Sequence, residues 1–307
     1  MSFINDKIVD ENEYILQVYP DQTSITVRDL QLAILPIMDE IHRICLKHHI
    51  AYGLMAGSAL GIYNYGGMIP WDDDMDVFII RKDWLHFVKV IEDELDDEFY
   101  FQCFETDDRY NVLIPSMKVR RHNTYIEESN YLLRNKCTSG DGIFVDITIF
   151  DYISENKFQD QLYRTLIRLL VFPLVLLDNL EVNPVGIKKL ARRIGENYAW
   201  RNRHSRLIGE QIIIPWLPIG KESVFEIADF FPLRLYSFEN REYYSFSNME
   251  KILTQWYGPQ SLKQWDGTKW IDPLPNHKRK PKHIVDINLD GPFSKIRVEQ
   301  SEEETSF

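Results

Sequence analysis

Gly57-Ser58 and the acidic string Pro70-Trp71-Asp72-Asp73-Asp74-Met75-Asp76, which runs into Val77-Phe78-Ile79-Ile80, carry the residue types best suited to chemistry in this chain. Along an extended segment successive side chains alternate, so Asp72, Asp74 and Asp76 project together while Asp73, Met75, Val77 and Ile79 face the other way. Carboxylates crowded on one side repel unless protons or a cation compensate them, and hard divalent cations take oxygen ligands of this kind. The string therefore predicts a magnesium site suited to phosphate chemistry. Asp72 reads equally as a further ligand or as the turn residue after Pro70 and Trp71, and Asp73 as a surface or turn carboxylate outside the chemistry. The string argues against an EF-hand, because the position that needs its glycine is Val77.

These residues need a scaffold, and the hydrophobic pattern supplies one. Thr26 with Asp29 forms a capping signal for a helix carrying Leu30, Ile34, Ile37, Ile41 and Cys45 on one face; Pro36 inside it predicts a kink or a later start. A short apolar strand over 51–56 arrives at Gly57-Ser58, where a helix begins, and Gly66-Gly67 with Pro70 break that helix. A second strand follows over 74–80, a helix over 83–95, and extended pieces over 99–104 and 113–121. The β-prone run 143–150 has Asp146 as the charge in its interior. A carboxylate there needs a counter-charge or a metal, so Asp146 either joins the acidic string from a neighbouring strand or is a structural group paired with a lysine. Lys118 and Arg120, two apart, share a strand face that would reach phosphates or meet solvent.

The 307 residues hold 35 Lys and Arg against 47 Asp and Glu, a net charge of −12, which argues against broad nucleic-acid binding. With 44% hydrophobic residues the chain has ample means for a core. The first residues show no basic flank leading into an apolar run, so the expected location is cytoplasmic. Cys45, Cys103 and Cys137 have no metal spacing and read as free thiols. From 158 to 206 the chain reads as helical and basic on one side. The apolar stretch 166–177 is too short to span a bilayer and reads as a core helix, while Lys188-Lys189 and Arg192-Arg193 read as solvated faces. Residues 225–257 mix aromatic strands with a helix over 249–257.

The strings GSALGIYNYGGMIPWDDDMDVFI, KVRRHNTYIEE, GIFVDITIFD and FENREYYSFSNMEKILTQWYG, in this order, resemble the LicD family within the polymerase-β-like nucleotidyltransferases. The resemblance runs from about residue 30 to 258, with a weaker trace through His283. It implies an α+β fold, a nucleotidyltransferase-type mixed sheet flanked by helices with a helical and aromatic-rich C-terminal half. The expected organisation is an N-terminal arm (1–25), a catalytic core (26–155), a mixed region completing the substrate site (156–290) and an acidic tail (291–307). The implied activity is Mg²⁺-dependent transfer of a phospho-alcohol, phosphocholine from CDP-choline foremost, to a sugar hydroxyl of a cell-surface polysaccharide, teichoic acid or lipopolysaccharide precursor. The implied partners are thus a CDP-activated alcohol and a glycan or lipid-linked glycan, and a lipid-linked acceptor further implies peripheral contact of the basic runs 188–189 and 192–193 with the inner face of the membrane.

By the same resemblance Asp74 and Asp76 hold metal against the donor pyrophosphate, with Asp72 as a further candidate ligand. Asp146 shares the metal and steers the acceptor proton. Gly57 and Ser58 bring backbone N–H groups to phosphate at a helix start, and Lys118, Arg120 and His283 are candidate donor-binding residues. Lys278, Arg279 and Lys282 belong with His283 to a degenerate basic motif. Two departures stand out: Asn64 occupies the place of a family arginine, and the 249–257 helix lacks the proline expected near its start, having Phe246-Ser247, with Ser247 as its expected cap. The alternatives are nucleotidyl transfer onto a small alcohol or antibiotic, with pyrophosphate as product, and a non-catalytic relative that binds nucleotide or glycan.

Overall fold

A computed structural model describes residues 14–103, 106, 116–128, 141–179, 184–213, 223–265, 268, 270–271, 281 and 283–295. Cys137, Lys278, Arg279, Lys282 and the end of the acidic tail from 296 onward lie outside the described residues. In chain order the elements are β1 (Ile15–Val18), β2 (Ser24–Thr26), α1 (Val27–Lys47), β3 (Tyr52–Leu54), α2 (Ala56–Tyr65), β4 (Asp76–Ile80), α3 (Arg81–Glu94), β5 (Phe99–Cys103), β6 (Met117–Arg121), β7 (Tyr125–Glu128) and β8 (Phe144–Ile153). There follow α4 (Lys157–Asn179), α5 (Val185–Arg201), β9 (Leu207–Glu210), β10 (Val224–Glu226), α6 (Ile227–Phe230), β11 (Arg234–Phe238), β12 (Arg241–Ser245), α7 (Met249–Tyr257), β13 (Gln264–Trp265), β14 (Trp270–Ile271) and β15 (Ile284–Asn288). The expected α+β class, a mixed sheet flanked by helices, is what forms.

Among the described residues the central sheet has seven strands, with β8 as its spine. One edge of β8 runs parallel to β4; the other is taken first by antiparallel β6, which carries β5, and then by antiparallel β9, which carries β10. β3 closes the β4 side in antiparallel register. The strand around Asp146 is longer than the 143–150 run, and it contains a second carboxylate, Asp151, fully buried and held by Arg81 at 2.7 Å. The sheet takes strands from both sides of residue 155.

Val77, Phe78, Ile79 and Ile80 are all fully buried, because helices cover both faces of the sheet. α1 starts at Val27 with a complete capping box, Thr26 and Asp29 each accepting from the other's backbone N–H, and Pro36 lies inside it. The later start that Pro36 allowed does not occur. Phe78 stacks on Phe246, 5.4 Å between centroids at 7°, and meets Phe230 at 4.8 Å, so the aromatic C-terminal half is packed directly on the strand that carries Asp76. A smaller core joins Ile153, Ile167, Val171, Ala191, Tyr198, Ile212 and Ile213 beneath α4 and α5.

Three expectations change. Part of the irregular arm forms a hairpin, β1 with β2, tied to the distant β15 by the Tyr19 hydroxyl donating to the Ile287 carbonyl at 2.6 Å. The second strand begins at Asp76 rather than at 74, so Asp72 and Asp74 lie in the loop that enters it. Asn248, not Ser247, caps α7, its side chain accepting from the Lys251 N–H.

Candidate active site

The loop that carries the acidic string is fastened at several points. The buried Gln31 amide of α1 donates to the carbonyls of Ile69 and Asp72 at 2.9 and 3.0 Å. Trp71 is buried against Tyr14 and Tyr65. Asp76 N–H donates to Ser58 Oγ at 2.9 Å, and Met55 N–H donates to the Asp76 carbonyl at 3.1 Å, so the start of α2 is locked to the start of β4. Gly57 packs against Asp72: a Cβ there would meet Asp72 Oδ2 at 2.6 Å and displace that carboxylate. The Gly-Ser pair thus serves to seat Asp72 and Asp76.

Burial alternates along the string as an extended segment requires. Trp71, Asp73, Met75 and Val77 are buried, whereas Asp72, Asp74 and Asp76 stay half-buried. Across the sheet Asp76 stands in direct parallel register with Asp146, and Asp146 N–H donates to the Met75 carbonyl at 3.0 Å. Lys118 is in antiparallel register with Asp146 on the other edge, its Nζ 2.9 Å from Asp146 Oδ1 and 3.1 Å from Glu128 Oε2. Lys118 thus stands as the counter-charge of the buried Asp146 Oδ1.

Burial pushes the Asp76 carboxyl well above its ordinary range, and the Asp74, Asp146 and Asp72 charges add to it. Asp146 is raised to about 6, again chiefly by burial, with Lys118 opposing. Asp74 is raised by burial and by Asp73, against the pull of His283. Such a set is stable in its ionised form only beside added positive charge. The half-buried Asp74, Asp76 and Asp146 carboxylates, an all-oxygen donor set with raised pKa values, fit a hard divalent cation.

Asp73 does turn away from its neighbours, but toward the interior: it is 2% exposed and is no surface carboxylate. Its oxygens accept from the His283 N–H at 2.8 Å and the Ile284 N–H at 3.2 Å, with His283 Nδ1 at 2.8 Å, which pins β15 to the acidic loop. The hydrogen bond to Asp73, with the Asp74 charge in support, raises His283 to about 9. Among the described residues Asp73, Asp74 and His283 bring one ligand atom each within 4.8 Å of one another and so would share a metal ion. With that shift His283 stands as a cation 3.3 Å from Asp74 Oδ2, and its ring would give up a proton on ligating a metal. Asp73→Ala is expected to lower unfolding free energy by about 3 kcal/mol, because buried N–H donors lose their acceptor; urea denaturation reads this.

Lys118 and Arg120 part company. Arg120 is 1% exposed and donates to Gln102 Oε1 at 2.6 Å and to the Gly142 carbonyl at 2.5 Å, away from the acidic cluster. Asn64, at the family arginine's place, is buried: its amide donates to the Ser261 carbonyl at 3.0 Å and accepts from the Lys263 N–H at 2.9 Å, which ties α2 to the segment after α7. Three side chains near the carboxylates carry no sequence signal as site residues. Glu128 shares Lys118. Tyr257, the last residue of α7, is half-buried with its hydroxyl pushed up by burial and by the charges of Asp76, Asp72 and Glu210. Glu210, in register with Phe150, is raised to about 7 by burial, which Arg164 partly offsets.

A carboxyl whose folded pKa exceeds its unfolded value stabilises below the unfolded value, and that contribution is lost as pH rises through the folded one. For Glu210 the window runs from its ordinary 4.5 to about 7. Glu210→Gln is therefore expected to match the native chain near the bottom of that window and to exceed its stability by on the order of 2 kcal/mol above it. Urea titrations across the window measure the divergence.

A mixed sheet with aspartates in register on adjacent parallel strands, beside a helix opening Gly-Ser, defines the class. Residues 49–178 match the LicD/FKTN/FKRP nucleotidyltransferase-domain family model. It is similar to the lipopolysaccharide cholinephosphotransferase LicD of Haemophilus influenzae, 31% identical over 131 residues, which is 41% of this chain and 45% of that protein. Uncharacterized proteins of Rickettsia typhi and Rickettsia prowazekii are 33% and 32% identical over 60 residues, 20% of this chain and 19% and 23% of theirs. The chain spans less than half the length of the curated relatives it matches.

Proposed function

We propose that this chain transfers a phospho-alcohol, phosphocholine from CDP-choline foremost, to a sugar hydroxyl of a lipopolysaccharide-type or other surface-glycan precursor. The observation that carries the reading is the Asp76–Asp146 register across two parallel strands, with Asp74 and Asp72 on the loop beside it. The relative's name supplies choline phosphate and lipopolysaccharide. Asp74, Asp76 and Asp146 would hold Mg²⁺, with Asp72 as the fourth candidate; Asp74 also belongs to the trio with Asp73 and His283. The ion would supply charge neutralisation at the phosphates. The acceptor hydroxyl oxygen forms a bond to the phosphorus that carries the alcohol, the bond from that phosphorus to the CMP phosphate oxygen breaks, and CMP leaves.

Asp146, with a pKa of about 6, is suited to take the acceptor proton near neutral pH. Lys118 holds Asp146 in place, and the start of α2 presents backbone N–H groups for the donor phosphates. The catalytic core over 26–155 and a substrate-completing region over 156–290 remain the proposed division, with α7 and β15 bringing Tyr257 and His283 to the acidic face. The test is product analysis with CDP-choline, CDP-glycerol, CDP-ribitol and nucleoside triphosphates in the presence of Mg²⁺ and a glycan acceptor. CMP release with a phosphodiester on the glycan is expected. Pyrophosphate release from a triphosphate instead would assign nucleotidyl transfer, and binding without turnover of any donor would assign a non-catalytic role.

A further inference from the structure

We infer that the outer face of α4, together with the basic outer face of α5, is a docking surface for an anionic lipid bilayer. α4 buries one side, Ile167 and Val171 in the smaller core with Asp160 and Arg164 beside them. The opposite side carries Phe158, Leu162, Leu166, Leu169 and Phe172, which are 79%, 48%, 51%, 70% and 66% exposed. Their spacing of four and three residues places them in one stripe, which spans about 21 Å at the helical rise. The sequence led us to expect a core helix over 166–177, and only one side of it is core.

α5 buries Lys188, Ala191, Arg192 and Tyr198 and presents Lys189, Leu190, Arg193, Trp200 and Arg201 to solvent. Of the two lysine and arginine pairs expected to be solvated, one member of each is therefore buried. Both helices rest on the same small core, and Arg201 donates to Tyr163 Oη at 3.0 Å, so they form one unit. Among the described side chains of 157–206, Lys157, Lys189, Arg193, Arg201, Arg203 and Arg206 are exposed against Glu196, in a chain whose net charge is −12. Charge is thus segregated onto the part of the surface that also exposes the apolar stripe.

That combination selects the occupant. A two-fold dimer would set this basic face against its own copy, at a cost in like-charge repulsion. A polyanion such as nucleic acid would leave the Phe and Leu stripe without use. An anionic bilayer takes both, with apolar side chains at the acyl boundary and lysines, arginines and Trp200 at the headgroups. Among the described residues no helix is long and apolar enough to cross a membrane, and α4 with its charged inner side would lie in the interface plane. The inference does not depend on the transfer reading.

Vesicle flotation tests it with the whole chain. Co-flotation with phosphatidylglycerol-containing vesicles is expected, at least about tenfold stronger than with pure phosphatidylcholine and weakened at high salt. Leu166→Glu/Leu169→Glu, checked by circular dichroism, is expected to float at least about tenfold less. Lys189→Glu/Arg193→Glu changes only exposed positions and should abolish the preference for anionic vesicles, which keeps the inference testable if the first variant does not fold. Failure of the native chain to float, equal flotation of native and variant chains, or a dimer in sedimentation that the leucine variant dissolves would each overturn it.

Discussion

Asp76→Asn is expected to abolish turnover and, in metal-free protein, to make the fold harder to unfold. The carboxyl is raised well above its ordinary range by burial and by Asp74, Asp146 and Asp72, so in ionised form it is held against both solvation and its neighbours. Replacing it with a neutral isostere removes that repulsion and should add about 1–2 kcal/mol at neutral pH. Because the folded pKa lies above the unfolded one, the gain should vanish as pH falls to the ordinary carboxylate range and grow as pH rises. Loss of a ligand for the transferred phosphate's counter-ion should cost several kcal/mol of transition-state stabilisation, or about 10³-fold or more in rate. Urea unfolding in chelator and CMP release measure the two halves. Mg²⁺ should raise the melting temperature of the native chain more than that of the variant. A variant that is less stable without metal, or one that turns over normally, contradicts the assignment of Asp76.

The opposition between stability and chemistry explains what was legible in the sequence. Alternation along 71–77 is local, so the pattern of buried Trp71, Asp73 and Met75 against half-buried Asp72, Asp74 and Asp76 could be read from residue types even though the strand itself begins only at Asp76. A carboxylate in the apolar run of β8 announced a partner. Which partner was not legible, because strand register is set by pairings between segments about seventy residues apart. Register gives Asp146 both of the possibilities left open, Asp76 on one edge and Lys118 on the other.

Long-range partners account for the remaining differences too. Asp73 could be seen to turn away, but its acceptor role toward β15 depends on a segment 210 residues distant. Lys118 and Arg120 share a strand face in sequence, yet Gln102 on the neighbouring strand and the Gly142 carbonyl take up Arg120. Asn64 replaces an arginine and gains a structural duty to Ser261 and Lys263 that no local pattern signals. The faces of α5 were misjudged because adjacent basic residues lie about 100° apart on a helix, so Lys188 and Arg192 go inward while Lys189 and Arg193 go outward.

Lys118→Met is expected to destabilise the metal-free fold, and Mg²⁺ should restore much of the loss. The ammonium is 3% exposed, lies 3.3 Å from the centroid of the Phe144 ring, and stands between the carboxylates of Asp146 and Glu128. Removing one partner of a buried ion pair costs several kcal/mol when the other stays charged; the 18% and 24% exposure of Asp146 and Glu128 brings the expected loss down to about 2 kcal/mol. Asp146 would then be raised beyond about 6, since Lys118 is the largest influence holding it down. Lys118→Met/Asp146→Asn should recover stability relative to the single variant, a coupling that a double-mutant cycle in chelator quantifies. If the oxygen beside Lys118 is a metal ligand, an added divalent cation takes over part of the ammonium's role, so the variant's melting temperature should respond to Mg²⁺ more steeply than the native chain's. Turnover separates the two remaining roles of the lysine. Holding Asp146 in place predicts a fall in kcat of about 10²-fold with KM preserved. Direct contact with the donor phosphates predicts a rise in KM, and a lysine that merely lines the strand predicts neither.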